Sequence, residues 1–384
     1  MFRKSKKILF AINNLTYGGI QTQAVALAHE FQKKGFKVFF LSTSRYETDF
    51  VKNELLARNI KIINGSFINS NYWSKFSFRL NRCITIIKAI FLLRYYRVNY
   101  VIPYQRKLSY FFGAIHPYTG ASKTIFHIRD AVSESKVKSN WYLRKAMENK
   151  PCVVTNSNHA RLKFQKLYGN KYKFNLRTIY NGISIREIDS NINWKNFFGL
   201  TDIEFVAVAI ANFYTEKDYD TLFKAWKVFC DANITKPILV VAGDEGLDGY
   251  RAKYELIVKN LGINENVKFL GRSPYNIELL KIANIKILSS ISEGQPNVVI
   301  ETLGVGTAFT GTNIDGIKEV LGDGYPIPLF EIGNYIKLSE ILINFQKNKY
   351  QVDIIKNYSS KRFQIFSIEN LINNYLDVLS PKKL

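Results

Sequence analysis

The sequence predicts an α/β protein made of two doubly wound, Rossmann-like domains. Short apolar runs that end in polar or glycine-bearing loops alternate with stretches of helical period, the pattern of a parallel sheet clad in helices. That pattern restarts near residue 205, after a polar stretch. At 384 residues the chain is also long for a single core.

Lys7 to Asn13 reads as the first strand, Leu15-Thr16-Tyr17-Gly18-Gly19 as a turn, and Ile20 to Lys34 as a helix. In that helix Ala24, Leu27, Ala28 and Phe31 recur at helical spacing, and Gly35 closes it. Lys37 to Ser42 is the second strand. Gly18 and Gly19 let the backbone approach a ligand closely, but they do not form G-x-G-x-x-G, so a dinucleotide site is not indicated. Lys75 to Arg97 reads as a helix. On a wheel of ~100° per residue, Leu80, Ile84, Ile87 and Phe91 share one face, and Lys75, Arg79, Arg82, Arg94 and Arg97 gather on another. Such a helix either packs in a core with its basic face in water or lies on an anionic bilayer. The nearby Tyr72, Trp73, Phe76, Phe78, Tyr95 and Tyr96 tilt toward the second reading.

Tyr100 to Pro103, Lys123 to Phe126 and Cys152 to Asn156 read as further strands. Each ends in polar residues, at the edge where a doubly wound fold builds its site: Tyr104-Gln105-Arg106-Lys107, His127-Ile128-Arg129-Asp130 and Ser157-Asn158. From Glu187 the text turns polar, which places a linker there. The second half runs strand (Phe205 to Ile210), loop (Ala211 to Asp218), helix (Tyr219 to Cys230), then strands at Ile238 and Asn266. Ile285 to Ser290 reads as a buried strand ending in a loop, followed by the glycine- and proline-bearing stretch to Pro296 and a helix from Val298. Here Glu293 and Glu301 stand eight positions apart, one at the loop mouth and one about two turns into the helix. The helix N-terminus suits a phosphate. The carboxylates suit vicinal hydroxyls, a sugar at one end and a ribose at the other. The last helix spans Ser367 to Leu379.

Hydrophobic residues make up 47% and charged ones 22%, a globular composition. No apolar run is long enough to span a bilayer; Cys83 to Leu93 is short and carries Lys88. Three scattered cysteines argue for a reducing compartment and against a disulfide frame or a cysteine metal site. The net charge of +23 is unevenly spread. Residues 1–190 hold 33 basic and 9 acidic side chains, a net +24, and the remainder nets −1. Between Glu54 and Asp130 there is no acid at all. Such asymmetry points to an anionic partner for the first domain.

The E-x7-E spacing within Ser290-Ile291-Ser292-Glu293-Gly294-Gln295-Pro296-Asn297 resembles the donor-site motif of glycosyltransferase family 4, the retaining group 1 enzymes of GT-B fold. The Gly18-Gly19 loop, Asn181-Gly182 and Lys217 agree with it in order and spacing. The resemblance implies two domains facing a cleft: a basic acceptor-binding domain over 1–188, a nucleotide-sugar domain over 189–364, and a helix over 365–384 returning to the first. It implies that Glu293 receives sugar hydroxyls and that His127 contacts the sugar, as the catalytic pair. Donor contacts would come from Gly18, Gly19, Asn212, Lys217, Arg272, Gln295, Asn297 and Val298, with Glu301 on the ribose. The acceptor side would be Gln105, Arg106 and Asp130. Asn212 stands where the family usually has an arginine, one charge fewer at the diphosphate. The donor would be UDP- or GDP-linked. No cofactor or divalent metal is expected, and no D-x-D at a strand end argues otherwise. A lipid-linked saccharide acceptor, cell-envelope polysaccharide synthesis and peripheral attachment to the cytoplasmic face of the plasma membrane complete the expectation. An epimerase of the same fold would need acid/base carboxylates from the acid-poor first domain. A non-catalytic carbohydrate-binding relative is the other alternative. No nucleic-acid-binding module is present.

Overall fold

A computed structural model describes residues 5–15, 19–44, 49–68, 78–128, 141–200, 205–233, 236–245, 249–347 and 351–379. Gly18, Arg129, Asp130, Tyr72, Trp73, Lys75 and Phe76 lie outside the described residues. The chain divides into two compact units, Met1–Ile183 with Ser367–Leu384, and Ser184–Phe366.

The first unit alternates strand and helix: β1 (Lys7–Ile12), α1 (Gly19–Lys33), β2 (Lys37–Ser42), α2 (Asp49–Ala57), β3 (Lys61–Asn64), α3 (Phe78–Tyr96), β4 (Tyr100–Pro103), α4 (Arg106–Thr119), β5 (Lys123–Ile128), α5 (Trp141–Glu148), β6 (Cys152–Thr155), α6 (Asn158–Tyr168) and β7 (Asn175–Thr178). Its seven parallel strands stand in the order β3-β2-β1-β4-β5-β6-β7. Central strands covered on both faces read as unbroken apolar runs, as in Ile8 to Ile12, where every side chain is fully buried.

The second unit continues with α7 (Trp194–Phe197), β8 (Val206–Ile210), α8 (Tyr219–Asp231), β9 (Ile238–Ala242), α9 (Tyr250–Asn260), β10 (Val267–Gly271), α10 (Asn276–Ile282), β11 (Ile285–Leu288), α11 (Asn297–Val305), β12 (Ala308–Gly311), α12 (Asp315–Leu321), α13 (Tyr335–Lys347) and α14 (Gln351–Phe363). Its parallel sheet has the order β10-β9-β8-β11-β12. The last helix, α15 (Ile368–Leu379), belongs to the first unit. There Leu371, Ile372, Tyr375, Val378 and Leu379 join a core with Phe10 and Phe31.

Both sheets reverse direction once. In the first, the chain runs outward from β1 to β3 and returns beside β1 with β4. In the second it runs from β8 to β10 and returns beside β8 with β11. Loops at the carboxyl ends of the two strands flanking such a reversal diverge and leave a crevice, where doubly wound folds bind ligands.

The helix α3 settles differently from a simple core helix. Its buried face is formed by Ala89 and Leu93, which join a core with Leu9, Val101 and Phe111. The stripe of Leu80, Ile84, Ile87 and Phe91 stays exposed. Arg82 does not stand with a solvated basic row either: its guanidinium lies over the ring of Trp141, 4.7 Å from the centroid.

Candidate functional site

In the second unit the reversal falls between β8 and β11, and the loops after these strands, together with α11, carry six of the nine expected donor residues. After β8, residues Ala211 to Tyr214 lead into a single 3-10 turn, Thr215–Lys217. Asp218 follows in the left-handed region (φ 44°) and caps α8, accepting from the Thr221 amide. A non-glycine residue held there is strained, and the bend turns Lys217 back toward the β11 loop. Lys217 Nζ donates to Glu293 Oε1 at 2.5 Å, and the Ser290 hydroxyl donates to the same oxygen at 2.8 Å. Backbone ties join the two loops: Ser289 Oγ donates to the Lys217 carbonyl and the Ile291 amide to the Glu216 carbonyl, both at 2.8 Å. Both members of the Lys217–Glu293 pair keep some solvent contact, at 22% and 15% side-chain exposure. A ligand can therefore reach charges whose positions are already fixed.

Glu293 stands just before the N-terminus of α11. Pro296 occupies the N-cap with no side-chain cap, and its carbonyl takes the Val299 amide. Asn297 and Val298 form the first turn of the helix, at the positive end of its dipole. Gln295 is buried beside them, while Val298 packs on the apolar layer beneath the sheet. Glu301 lies one turn further on and is partly buried; desolvation pushes its carboxyl up to about 7, against the opposing pull of the Lys286 ammonium.

Lys286 escaped sequence reasoning. It sits in the middle of β11, fully buried, with its Nζ donating to the Ile287 carbonyl. Burial, then the Lys217 charge, lowers its pKa to about 7, and Glu293 and Glu301 counter that shift. The available signal was a cation inside a four-residue apolar strand, where an unpaired charge is costly.

The remaining donor candidates stand further out. Asn212 is exposed, and its side-chain oxygen accepts from the Asp244 amide at 3.1 Å, so it ties the β8 loop to the β9 loop. Arg272 is exposed at the carboxyl end of β10, an edge strand separated from β11 by β9 and β8. Gly19 is the first residue of α1 in the other unit.

Two glycines let this site close up. A Cβ on Gly243 would lie 2.0 Å from the Ala211 carbonyl oxygen, and one on Gly316 would lie 2.3 Å from the Glu293 carbonyl oxygen. Backbone atoms cannot swing aside as a side chain can. Gly316→Ala is expected to cost ~1–3 kcal/mol as an overpacked site and to shift the 293–294 segment. Urea unfolding should show the loss, and nucleotide binding should weaken with it. An unchanged midpoint would mean that the loop tolerates the methyl group.

In the first unit the reversal falls between β1 and β4. The Asn13 amide donates to Gln105 Oε1 at 2.6 Å, joining the two loops there. Arg106 begins α4 beside Gln105 and is partly buried. His127 corrects an expectation. It does not point out to a ligand but is buried at 2% exposure. One ring nitrogen, Nδ1, faces the Pro103 carbonyl at 2.7 Å and must donate to it. The other, Nε2, meets the Tyr375 hydroxyl of α15 at 2.7 Å. Strand alternation decides this: Phe126 and Ile128 join one core layer, and His127 turns to the opposite face. The catalytic role expected of His127 is not what this placement serves.

Residues 191–362 match the family model described as glycosyl transferases group 1. Over those residues the chain is similar to group 1 glycosyl transferases, and its two parallel-sheet units have the GT-B fold. The chain is 26% identical over 218 residues to N-acetyl-alpha-D-glucosaminyl L-malate synthase of Bacillus anthracis, covering 54% of this chain and 55% of that protein. It spans about half the length of that curated relative. Among solved structures, HepE of Anabaena in complex with UDP and glucose aligns with a TM-score of 0.78 at 17% identity, over 98% of this chain and 99% of that one. A glycosyltransferase of Rickettsia africae aligns equally well, with a TM-score of 0.78 at 17% identity over 98% of both chains.

Proposed function

We propose that this chain is a retaining family 4 glycosyltransferase. It takes a sugar from a UDP- or GDP-sugar and passes it to a saccharide acceptor, lipid-linked and held at an anionic membrane surface, in cell-envelope polysaccharide synthesis. The observation that carries the reading is the Lys217–Glu293 pair, which bridges the loops of β8 and β11 at the mouth of α11. The α11 amides and Lys217 receive the diphosphate, Glu301 the ribose diol, and Glu293 the sugar hydroxyls. As the bond from the anomeric carbon to the diphosphate breaks, negative charge grows on the leaving oxygens. Fixed donors favour that state over the ground state. HepE, which shares the fold, has been crystallised with UDP and with UDP-glucose. The basic first half supplies the affinity for an anionic surface.

The test is a thermal-shift panel of UDP, GDP, ADP and their sugars at pH 6 and pH 8, with Glu301→Gln beside the wild type. A ligand at 100 times its Kd should stabilise by ~2.7 kcal/mol. Only the ionised Glu301 is a pure acceptor for two hydroxyls. Because its pKa is raised to about 7, the shift should be larger at pH 8 than at pH 6, and the variant should lose both shift and pH dependence. The apo baseline carries its own trend. The Glu301 contribution is full below ~4.3 and lost as pH rises through about 7; that of Lys286 is full above ~10.4 and lost as pH falls through about 7. Each shift is therefore read against apo protein at the same pH. A wild type that answers to no nucleotide overturns the reading.

A further inference from the structure

We propose that the outward face of α3 is an insertion surface for an anionic lipid bilayer. This deepens the membrane part of the reading above and rests on nothing in the donor site. Leu80, Ile84, Ile87, Phe91 and Tyr95 are 65%, 40%, 64%, 70% and 70% exposed. At ~100° per residue they fall within about 80° of one another, so they form one continuous stripe. The helix is already anchored by its opposite face, through Ala89 and Leu93. The stripe is thus a second apolar face, turned to solvent. Contiguous exposed apolar surface of this kind marks an interaction site, whereas singly scattered residues would need no account.

Charge selects the occupant. Exposed Lys88 flanks one edge of the stripe and exposed Arg94 the other. The Arg94 Nε also donates to the carbonyl of Tyr118, itself 61% exposed. No acidic residue occurs between Glu54 and Asp130. An apolar stripe between two cations, in an acid-free stretch, matches a surface that is anionic outside and apolar just beneath. A helix of this kind sinks its apolar face ~5–10 Å into the headgroup boundary, and rings such as Phe91 and Tyr95 are favoured at that depth. The helix lies on the surface and does not cross it: no described helix is long and apolar enough to span a membrane.

The experiment is co-sedimentation of the full chain with vesicles of phosphatidylcholine alone or with 30% phosphatidylglycerol. A companion Phe91→Trp variant is tested for quenching by lipids brominated in the acyl chain. Wild type should partition at least tenfold more strongly onto the anionic vesicles. Ile87→Ser with Phe91→Ser should lower that partitioning at least tenfold. Lys88→Glu with Arg94→Glu should flatten its salt dependence. Phe91→Trp should gain quenching from brominated acyl chains. The substituted side chains are exposed, so the nucleotide thermal shift should survive in each variant. A donor-site failure would remove that shift and leave vesicle binding intact. Equal, negligible sedimentation with both vesicle types overturns the proposal, as does binding indifferent to the Ile87/Phe91 change. A dimer that the same change dissolves, without vesicle binding, assigns the stripe to a second copy and also overturns it.

Discussion

Glu293→Ala is expected to lower sugar transfer by ~10²–10³-fold, a loss larger than the accompanying drop in stability explains. The magnitude is that of removing one preorganised group aimed at the reacting centre. The residue does two things at once. Its Oε1 is the counter-charge of Lys217 and the acceptor for Ser290 Oγ, and in the proposed reaction the carboxylate also receives the sugar hydroxyls. Without it, Lys217 keeps its charge but loses the bond that aims it at the diphosphate, so the cost falls chiefly on kcat. Some stability is lost as well, because the pair is largely buried, at 22% and 15% side-chain exposure, and removing one partner leaves the other without its counter-charge. Glu293→Gln, which keeps an acceptor oxygen but no charge, should fall between the two. Ser290→Ala, which removes one neutral donor, should cost less than either. Release of nucleoside diphosphate from the donor picked out by thermal shift measures all three. Transfer by Glu293→Ala within threefold of wild type would sink the assignment.

The fold was legible because parallel strands covered on both faces must be apolar throughout. Lys37 to Ser42 and Tyr100 to Pro103 were read within those bounds and are the β2 and β4 of the structure, while the strand read from Ile285 to Ser290 ends at Leu288 as β11. The β11 loop was legible for a related reason: it carries glycine, proline and Glu293 between a buried strand and a helix, with Glu301 one turn into that helix. What sequence could not give was the direction of side chains that depend on packing. The stripe on α3 follows from periodicity alone. That a second apolar face, through Ala89 and Leu93, would win the core follows only from how the helix meets β1, β4 and α4. Lys286 reads as an ordinary member of a strand until its neighbours are seen. It then becomes the buried cation that moderates Glu301. Asn212, read as a missing phosphate arginine, turns out to tie two loops through the Asp244 amide.

His127→Ala should destabilise the protein by ~3–5 kcal/mol, which follows from the same lesson about direction. The imidazole is buried, and its two nitrogens meet the Pro103 carbonyl and the Tyr375 hydroxyl. Because a carbonyl can only accept, Nδ1 carries the proton and the neutral ring's Nε2 accepts from Tyr375. The ring also meets Tyr104 and Tyr375 edge-on, at centroid distances of 5.3 and 5.8 Å. Alanine removes both hydrogen bonds and opens a cavity among aromatic rings. Each deprived buried polar group costs ~1–3 kcal/mol, and the cavity adds to that. Tyr375→Phe removes only one bond and should cost ~1 kcal/mol. In urea, His127→Ala should therefore lower the midpoint far more than Tyr375→Phe does. At temperatures where it stays folded, its transfer rate should lie within about fivefold of wild type. An unchanged midpoint together with a transfer rate reduced more than a hundredfold would show that His127 leaves its buried contacts to act on the sugar. The geometry argues against that, because such a move gives up the ring's hydrogen bonds to the Pro103 carbonyl and the Tyr375 hydroxyl.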